Sequence, residues 1–421
     1  MTSAVHPGDA MPARQRVITI VMLGALVGLG PFTIDLYLPA FPSLVRDLDT
    51  TDAAIQLTLT ATTIGFGLGQ LVVGPWSDRV GRRIPLLLAT GVHVLASVGV
   101  ALAPSVEVVG LFRVLQGVGA AGGGVVAMAM VRDLFAGRAL VRMLSRLALV
   151  TGLAPILAPL VGSHLLRVLD WRGVFVVLAG YGVVAVVAAT FLITETRPRD
   201  RAAGRSRTTA RQRYGRLFRD RVFVGVALMG GLQFSALFAY LSSSSFLFQN
   251  VYGLSAQQFG LLFGINSLGL AIGTQTAARV MRRVGPQWLL GAAGAVALLA
   301  SATIGVAALV GGTAGWTLGV VIGGLFVVLA CFGFLFPSVQ VLALAFHGEE
   351  SGTAASVLGA LNFGLAGILS PIVGFIGIGS ALPMAAVMVT MLVLAQVMLW
   401  TVVRPRSVPE IRTQATPIIE T

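Results

Sequence analysis

The sequence predicts an all-α membrane protein in which twelve transmembrane helices form two pseudo-symmetric bundles of six. Three observations predict this fold: the composition, the spacing of the charged residues and an internal repeat. Hydrophobic residues make up 56% of the 421 residues and charged residues only 11%, whereas soluble proteins carry about 25% charged residues. So few charges cannot cover the surface of a soluble protein of this length, and we expect a lipid environment.

Stretches without Asp, Glu, Lys or Arg define the expected spans, since a helix needs about 20 mostly apolar residues to cross the hydrocarbon core. Six stretches in the first half of the chain each fit one span: 17–34, 53–77, 84–106, 114–131, 147–166 and 173–194. Three longer stretches each fit two spans: 222–278, 284–348 and 351–403. Their turns are expected near Gln249–Gln258, Gly311–Thr313 and Gly377–Pro383. The predicted total is twelve.

These spans divide the chain into two bundles joined by a basic linker. The expected parts are an N-terminal tail (1–16), a first six-helix bundle (17–194), the linker (195–221), a second six-helix bundle (222–403) and a C-terminal tail (404–421). The linker holds ten arginines but only two aromatic residues, Tyr214 and Phe218. We interpret it as a solvated connection and expect no nucleic-acid partner, because nucleic-acid binding favours interleaved aromatic residues on a folded surface.

The arginines predict the orientation. All 29 basic residues are Arg. With the N-terminus in the cytoplasm, 25 arginines fall in cytoplasmic segments and 3 in outer loops, while Arg113 lies within a span. This distribution follows the positive-inside rule, so we expect a multi-pass protein of the cell (inner) membrane with both termini cytoplasmic. It also accounts for the net charge of +13 without an anionic partner.

An internal repeat supports the division into six and six. At an offset of 204 residues, Gly65 aligns with Gly269, Gly69 with Gly273, Arg79 with Arg283, Val80 with Val284 and Gly81 with Gly285. Each segment is a span with spaced glycines that runs into a basic turn. Parallel repeats of this kind are typical of one large class of secondary transporters.

Several chemistries are excluded by composition. The single cysteine, Cys331, excludes a disulfide framework and a cysteine metal site. The four histidines are scattered without ligand spacing, and a chain without Lys cannot form a nucleotide-binding P-loop. Asp35 is the only acid well inside the apolar stretches. We therefore expect no metal, no cofactor and no enzymatic activity, which leaves transport driven by an ion gradient or by none.

The loop after the second span carries a recognisable motif. It reads Gly74-Pro75-Trp76-Ser77-Asp78-Arg79-Val80-Gly81-Arg82-Arg83. This loop resembles the signature of the major facilitator superfamily, although Trp76 stands where the family usually has Leu. The resemblance implies a conformational-switch motif, whose candidate residues are Gly74, Asp78, Arg79, Gly81, Arg82 and Arg83. We expect Asp78 to accept from a basic residue or to cap a neighbouring helix.

Two further motifs resemble the same family. The segment from Arg113 to Ala121 is similar to the family motif with a buried Arg, although an Arg snorkelling to the interface is the alternative. The segment from Gly152 to Gly162 resembles the antiporter motif, with Ala158 and Ser163 replacing usual glycines. Its candidate residues are Gly152, Pro155, Pro159 and Gly162. Each proline removes a helix hydrogen bond, and we expect the small residues to allow close packing between the halves.

The first span resembles a narrower branch. Asp35-Leu36-Tyr37-Leu38-Pro39-Ala40-Phe41-Pro42 looks like the first-helix signature of drug exporters of the bicyclomycin and chloramphenicol resistance branch. The resemblance implies a monomeric secondary transporter that exports small amphipathic drugs in exchange for protons by alternating access. Asp35 and Arg113 are the candidate proton-coupling residues, because an acid inside an apolar span is costly to ionise and a nearby cation favours its ionised form.

The substrate site is the least defined prediction. Its candidate residues are Tyr37, Phe234, Phe238, Tyr240, Asn266 and Asn362, although the aromatic residues among them could instead face lipid. An importer or a facilitator of a small metabolite or sugar on the same fold is the alternative function. It is less favoured, because the spans are rich in Val, Leu, Ala and Gly whereas sugar sites need many hydrogen-bonding groups. The expected partners are a drug substrate, protons and membrane lipids.

Overall fold

The computed structural model describes residues 11–197, 210–345 and 351–408, and these residues are almost entirely helical. The α-helices, in chain order, are α1 (Ala13–Asp35), α2 (Phe41–Asp47), α3 (Asp52–Val80), α4 (Arg83–Ala101), α5 (Val106–Leu134), α6 (Gly137–Leu165), α7 (Trp171–Leu192), α8 (Ala210–Arg219), α9 (Arg221–Phe246), α10 (Ala256–Val284), α11 (Pro286–Gly311), α12 (Gly315–Leu344), α13 (Ser351–Leu369), α14 (Ile372–Ile376) and α15 (Leu382–Met398).

The predicted twelve spans are confirmed. Eleven helical segments of the described chain are long and apolar enough to cross a membrane, and α6 supplies the twelfth, with an apolar part at Val150–Leu165. Helix α6 begins ten residues before the charge-free stretch that predicted it, because it also includes Arg142 and Arg146, whose side chains are exposed. The turns at residues 252–255, 312–314 and 377–381 lie where the polar segments predicted them.

Four spans are not regular α-helices from end to end. The first span bends after Asp35, where a 3-10 turn at Leu38–Ala40 containing Pro39 separates α1 from α2. The eleventh span breaks between α13 and α14 at Pro371, which cannot donate a helix hydrogen bond. Helices α9 and α15 each widen at their ends into a π-helical turn, at Leu247–Val251 and at Leu399–Val403.

The internal repeat is visible in the packing. Gly65 and Gly69 of α3 lie against the backbone of α5, where an added Cβ would meet the carbonyl oxygens of Val114 and Val118. Gly269 and Gly273 of α10 lie in the same way against the backbone of α12. The aligned glycines therefore have one task in both halves, which is to let two helices of the same bundle approach closely.

The two halves meet through α3 with α13 and through α6 with α10. Helix α1 begins at the end of the bundle that carries Arg79, Arg82 and Arg83, and we call this end the basic end. We call the other end the opposite end. One hydrophobic cluster lies near the basic end and contains only residues of the first half, between Met22 and Ile193. A second cluster runs the length of the second half and joins residues of the first half only toward the opposite end. The halves thus share a core at the opposite end and have separate cores at the basic end.

The predicted linker is only partly an extended connection. Residues 198–209 lie outside the described part of the chain, but α8 occupies Ala210–Arg219 and buries Leu217 against the second half. The expectation of a purely solvated linker is therefore wrong for its last third, because Tyr214 and Leu217 give this basic helix an apolar face that packs on the bundle. Most of the predicted tails, at 1–10 and 409–421, also lies outside the described residues.

Candidate functional site

Asp35 is the buried acid at the centre of the site. It is the last residue of α1, and only 4% of its surface is exposed. Its Oδ1 atom has no hydrogen-bond partner among the described residues. The carboxyl group lies within electrostatic range of the hydroxyl group of Tyr240 on α9. A buried, unpartnered carboxylate is costly, so this group is available to a proton or to a ligand.

The side of the second half that faces Asp35 is aromatic and polar. Tyr240 is fully buried and stacks on Phe263 of α10, with ring centroids 5.5 Å apart. Its hydroxyl oxygen accepts a long hydrogen bond of 3.5 Å from Nδ2 of Asn266. The Oδ1 atom of Asn266 has no partner among the described residues. The structure therefore brings together three of the predicted residues, Asp35, Tyr240 and Asn266, between the two halves.

Arg113 is fully buried in the first half, which excludes the snorkelling alternative. Its Nη1 atom donates to the carbonyl oxygen of Thr33 at 3.0 Å and to Oε1 of Gln116 at 2.5 Å. Thr33 lies in the last turn of α1, where carbonyl groups lack intrahelical donors and a cation is favoured by the helix dipole. Arg113 thus caps α1 two residues before Asp35.

The expected contact between Arg113 and Asp35 is not formed in this structure. The described residues contain no ion pair between them. The reason is geometric: side chains two residues apart on a helix point to different faces, and the carbonyl of Thr33 that Arg113 binds lies on the side of the first half. Asp35 instead lies within electrostatic range of Tyr240 in the second half.

A polar network inside the first half surrounds Arg113. Oγ1 of Thr33 donates to the carbonyl of Leu29 and accepts a 2.9 Å bond from Nε2 of His93 on α4. Nε2 of Gln116 donates to Oγ of Ser97 at 2.7 Å. Sequence reasoning missed His93 as a partner of α1, because its only sequence signal was a single polar residue in an apolar span.

Tyr37 belongs to this first-half cluster rather than to the surface that faces the second half. Its ring lies under the guanidinium group of Arg113, 4.0 Å from the centroid, and its hydroxyl group forms a 3.3 Å bond with Oγ1 of Thr58. The ring also contacts Phe175, with centroids 5.5 Å apart. Tyr37, a predicted residue of the substrate cavity, packs beneath Arg113 in this structure, two residues beyond Asp35.

Phenylalanines line the junction of the two halves. Phe234 and Phe238 of α9 contact Phe363 of α13, with centroids 5.0 and 6.4 Å away. Phe363 in turn stacks on Phe66 of the first half at 5.1 Å. Phe363 thus links Phe234 and Phe238 to the first half. Asn362 lies beside this cluster, and its buried Oδ1 atom has no partner among the described residues.

The switch loop at the basic end is organised around Arg82. Its Nη1 atom pairs with Asp78 at 2.5 Å, and its Nε atom pairs with Oδ2 of Asp133 on α5 at 2.8 Å. Nη1 also donates to Oγ of Ser77. Burial opposes the charge of Arg82, but the hydrogen bonds to Asp133 and Asp78 outweigh it and raise the pKa of Arg82. Asp78 is 66% exposed, whereas Asp133 is 1% exposed.

Glu195, which the sequence did not single out, caps the start of α4. Its carboxylate accepts from the backbone N–H groups of Arg82 at 2.9 and 3.0 Å and of Arg83 at 3.1 Å. Partial burial would raise the pKa of Glu195, but these N–H groups and that of Arg197 hold it below its usual value. Gly81 makes this possible, because its φ is +104° and a Cβ there would meet the Glu195 carboxylate. Asp78 was expected to accept from a basic residue or to cap a helix: it accepts from Arg82, and Glu195 is the cap of α4.

The other residues of the switch loop serve the first half. Nη2 of Arg83 donates to the carbonyl oxygen of Thr190 near the end of α7. The carbonyl oxygen of Arg79 accepts from Arg197 at 2.6 Å. Gly74 lies against Val125 of α5. All described contacts of this loop therefore stay within one bundle, and Asp78 is exposed toward the end where the two cores are separate.

The antiporter-type segment lies in α6, which continues as one helix through Pro155 and Pro159. Gly162 lies against the carbonyl oxygen of Leu36 in its own half, so that α6 touches the chain directly after Asp35. Gly152 has open space where a Cβ would point. Between the halves, the close approach of this segment is at Ser163, which lies against Gly260 of α10.

Comparisons with known proteins agree with this architecture. The family model described as Major Facilitator Superfamily matches residues 21–371. An uncharacterized MFS-type transporter, YdgK of Bacillus subtilis, is 36% identical over 89% of this chain and 92% of its own length. A bicyclomycin resistance protein homologue of Haemophilus influenzae is 28% identical over 87% and 91%. The crystal structure of a D-xylose–proton symporter superposes with a TM-score of 0.72 at 17% identity, covering 94% of this chain and 98% of that one.

Proposed function

Because this chain belongs to the major facilitator superfamily, and to its drug-exporter branch, we propose that it exports small amphipathic drugs in exchange for protons by alternating access. The observation that carries the proposal is Asp35. Its Oδ1 atom is buried without a partner among the described residues, and its carboxyl group lies within electrostatic range of Tyr240 in the second half. An acid in such a place binds a proton when no ligand is present and releases it when a ligand or water stabilises the carboxylate.

The surroundings of Asp35 support an amphipathic substrate. Phe234, Phe238 and Phe363 offer apolar rings between the bundles. Asn266 and Asn362 add amide groups with an unpartnered oxygen. A ligand that lies on the rings and donates hydrogen bonds to these oxygens replaces water at both kinds of surface. Arg113 contributes indirectly, since it fixes the end of α1 and therefore the position of Asp35.

Alternating access is supported by the distribution of the cores. The halves share one apolar cluster at the opposite end and have separate clusters at the basic end. With the basic end in the cytoplasm, as the arginines indicate, the separate cores at that end let the halves part toward the cytoplasm, while the shared core holds them together toward the outside. The Asp78 carboxylate, 66% exposed at the basic end, can then exchange Arg82 for an arginine or a helix end of the other half when that end closes. The protein works as a monomer in the inner membrane.

Import or facilitation of a sugar or metabolite remains the competing function on this fold. A fold shared with a D-xylose–proton symporter at 17% identity does not decide between export and import. The phenylalanine-lined junction favours an amphipathic drug, because a sugar needs many hydrogen-bonding groups.

The test is transport by the purified protein in proteoliposomes with an imposed pH gradient. Bicyclomycin is the first probe and D-xylose the matched control. We expect bicyclomycin to accumulate against its gradient on the acidic side and D-xylose not to move. Accumulation of D-xylose alone, or drug movement independent of the pH gradient, contradicts the proposal.

A further inference from the structure

Three side chains of the second half donate hydrogen bonds to backbone carbonyl groups of the first half. Nε2 of Gln249 lies 3.0 Å from the carbonyl oxygen of Pro39. Nε2 of Gln257 lies 2.9 Å from that of Ser163. Oγ of Ser267 lies 3.3 Å from that of Pro155. In each bond the donor belongs to the second half and the acceptor is main chain.

Each acceptor is a carbonyl group that its own helix leaves free. The carbonyl of Pro155 would normally accept from the N–H group of residue 159, but Pro159 has none. The carbonyl of Ser163 lies at the end of α6, where the N–H group of Arg167 bonds to His164 instead. The carbonyl of Pro39 lies in a 3-10 turn, and the residue three positions on, Pro42, lacks an N–H group.

The donors are held in position by their own half. The amide of Gln249 also donates to Oγ of Ser245 at 2.8 Å, which fixes its orientation. Gln257 lies in the first turn of α10, which is fixed by a capping box of Ser255 and Gln258. Ser267 is 1% exposed. Gly260 lacks a side chain between Gln257 and Ser267, so α10 approaches α6 closely enough for both bonds.

We propose that these three bonds form a latch between the halves that holds the opposite end closed, and that Pro159 acts by leaving the carbonyl of Pro155 free for Ser267. The inference rests on the alternating access proposed above, because a latch is useful only if the halves separate at this end. When the latch opens, water enters and hydrates the three carbonyl groups. The latch therefore stabilises the closed state only modestly. It biases the closed state without making it permanent.

This assignment gives Pro159 a task beyond bending α6. Pro159 frees a carbonyl that receives a donor from the other half. A proline that only bent the helix would have no partner residue in the other half, whereas here its effect depends on Ser267.

The latch is tested by measuring the distance between the halves at the opposite end. Spin labels at Arg46 and Thr313, in the exposed parts of α2 and of the α11–α12 turn, report this distance by double electron–electron resonance after Cys331 is replaced by Ser. The protein is kept without drug and without a pH gradient. We expect Gln249→Met, Gln257→Met and Ser267→Ala each to raise the ratio of open to closed molecules about three- to tenfold, which is the value of one hydrogen bond.

Gln396→Met is the matched control, because Nε2 of Gln396 donates to the carbonyl of Gly291 within the second half. We expect it to leave the ratio unchanged. A shift in the three latch variants no larger than that of Gln396→Met overturns the proposal.

A second comparison isolates the role of Pro159. In Pro159→Ala the new N–H group satisfies the carbonyl of Pro155 from within α6. We therefore expect Pro159→Ala to open the latch about as much as Ser267→Ala, and the double variant to open it no further. Additive effects would overturn the link between these two residues. Because no drug is present, opening of the latch variants in a protein that fails to export bicyclomycin would contradict the proposed function and leave the latch in place.

Discussion

Nη1 of Arg113 lies 3.0 Å from the carbonyl oxygen of Thr33, two residues before Asp35. Arg113, fully buried inside a span, therefore acts on the backbone that carries the buried acid and forms no ion pair with the acid itself. This arrangement leaves Oδ1 of Asp35 without a hydrogen-bond partner among the described residues. It also means that variants of Arg113 report on the geometry of α1 rather than on an ion pair.

Arg113→Met should lower the free energy of unfolding by about 1–3 kcal/mol, because the buried oxygens of Thr33 and Gln116 lose a charged donor. Uphill export should fall strongly as the end of α1 loses its cap. Arg172→Met is the control, since Arg172 also donates to a backbone carbonyl, that of Ala103, but at the partly exposed opposite end. Thermal unfolding in detergent checks both variants. Equal stability of the Arg113 and Arg172 variants would refute the capping role.

Asp78 and Asp133 bind the same guanidinium group and should behave differently. Asp78→Asn should change stability by less than about 1 kcal/mol, because the Asp78 carboxylate is 66% exposed. Its transport should fall while drug binding persists. Asp133→Asn should cost about 3 kcal/mol, since a buried pair with Arg82 is broken. Unfolding, binding and transport measured on both variants provide the check. Loss of stability and binding in Asp78→Asn would assign that residue to the fold.

Glu195→Gln should lower the stability by about 1 kcal/mol near neutral pH, the usual value of a helix N-cap. The pKa of Glu195 is lowered in the folded state, so its contribution is present above the unfolded value of about 4.3 and is lost as the pH falls through the folded value. The difference between wild type and variant should therefore shrink toward low pH. Unfolding curves from about pH 7 to pH 3 measure this. A difference independent of pH would show that charge is not involved.

The topology follows from the arginines. Reporter fusions after Arg197 and after Arg406 should read as cytoplasmic, because the flanking segments are rich in Arg. A fusion at Thr313, in the turn at the opposite end, should read as periplasmic. The same side for all three fusions would contradict the span count between them.

The spans could be predicted because lipid excludes charge, so that the charge-free stretches reveal the helices directly. The start of α6 could not, since Arg142 and Arg146 continue the helix beyond the apolar part. The hydrogen-bond partners of the site residues could not be predicted from the sequence either. Glu195 bonds to a backbone group 113 residues away, and His93 bonds to Thr33 across 60 residues. Such pairs depend on how the helices pack, which no local pattern in one sequence encodes.

The prolines of α6 show the same difference between what the sequence predicts and what only the structure shows. The sequence predicted that Pro159 removes a helix hydrogen bond, and this follows from the residue type alone. That the released carbonyl of Pro155 lies 3.3 Å from Ser267 depends on the contact of α6 with α10. The missing helix hydrogen bond could therefore be predicted from the sequence, whereas the bond formed between the two halves could not.

We propose that Asp35 binds the proton that a drug displaces. Measuring the protons released on addition of a drug is the most direct test of this role. Purified protein at weak buffering, with a pH indicator in solution, should release protons when bicyclomycin is added. Asp35→Asn keeps the shape and imitates the protonated acid, so it should bind the drug and release none, and it should lose uphill export in proteoliposomes. Asp52→Asn, in the first turn of α3, should release protons like the wild type. Drug-induced proton release that persists in Asp35→Asn would contradict the role of Asp35 as the residue that binds the displaced proton.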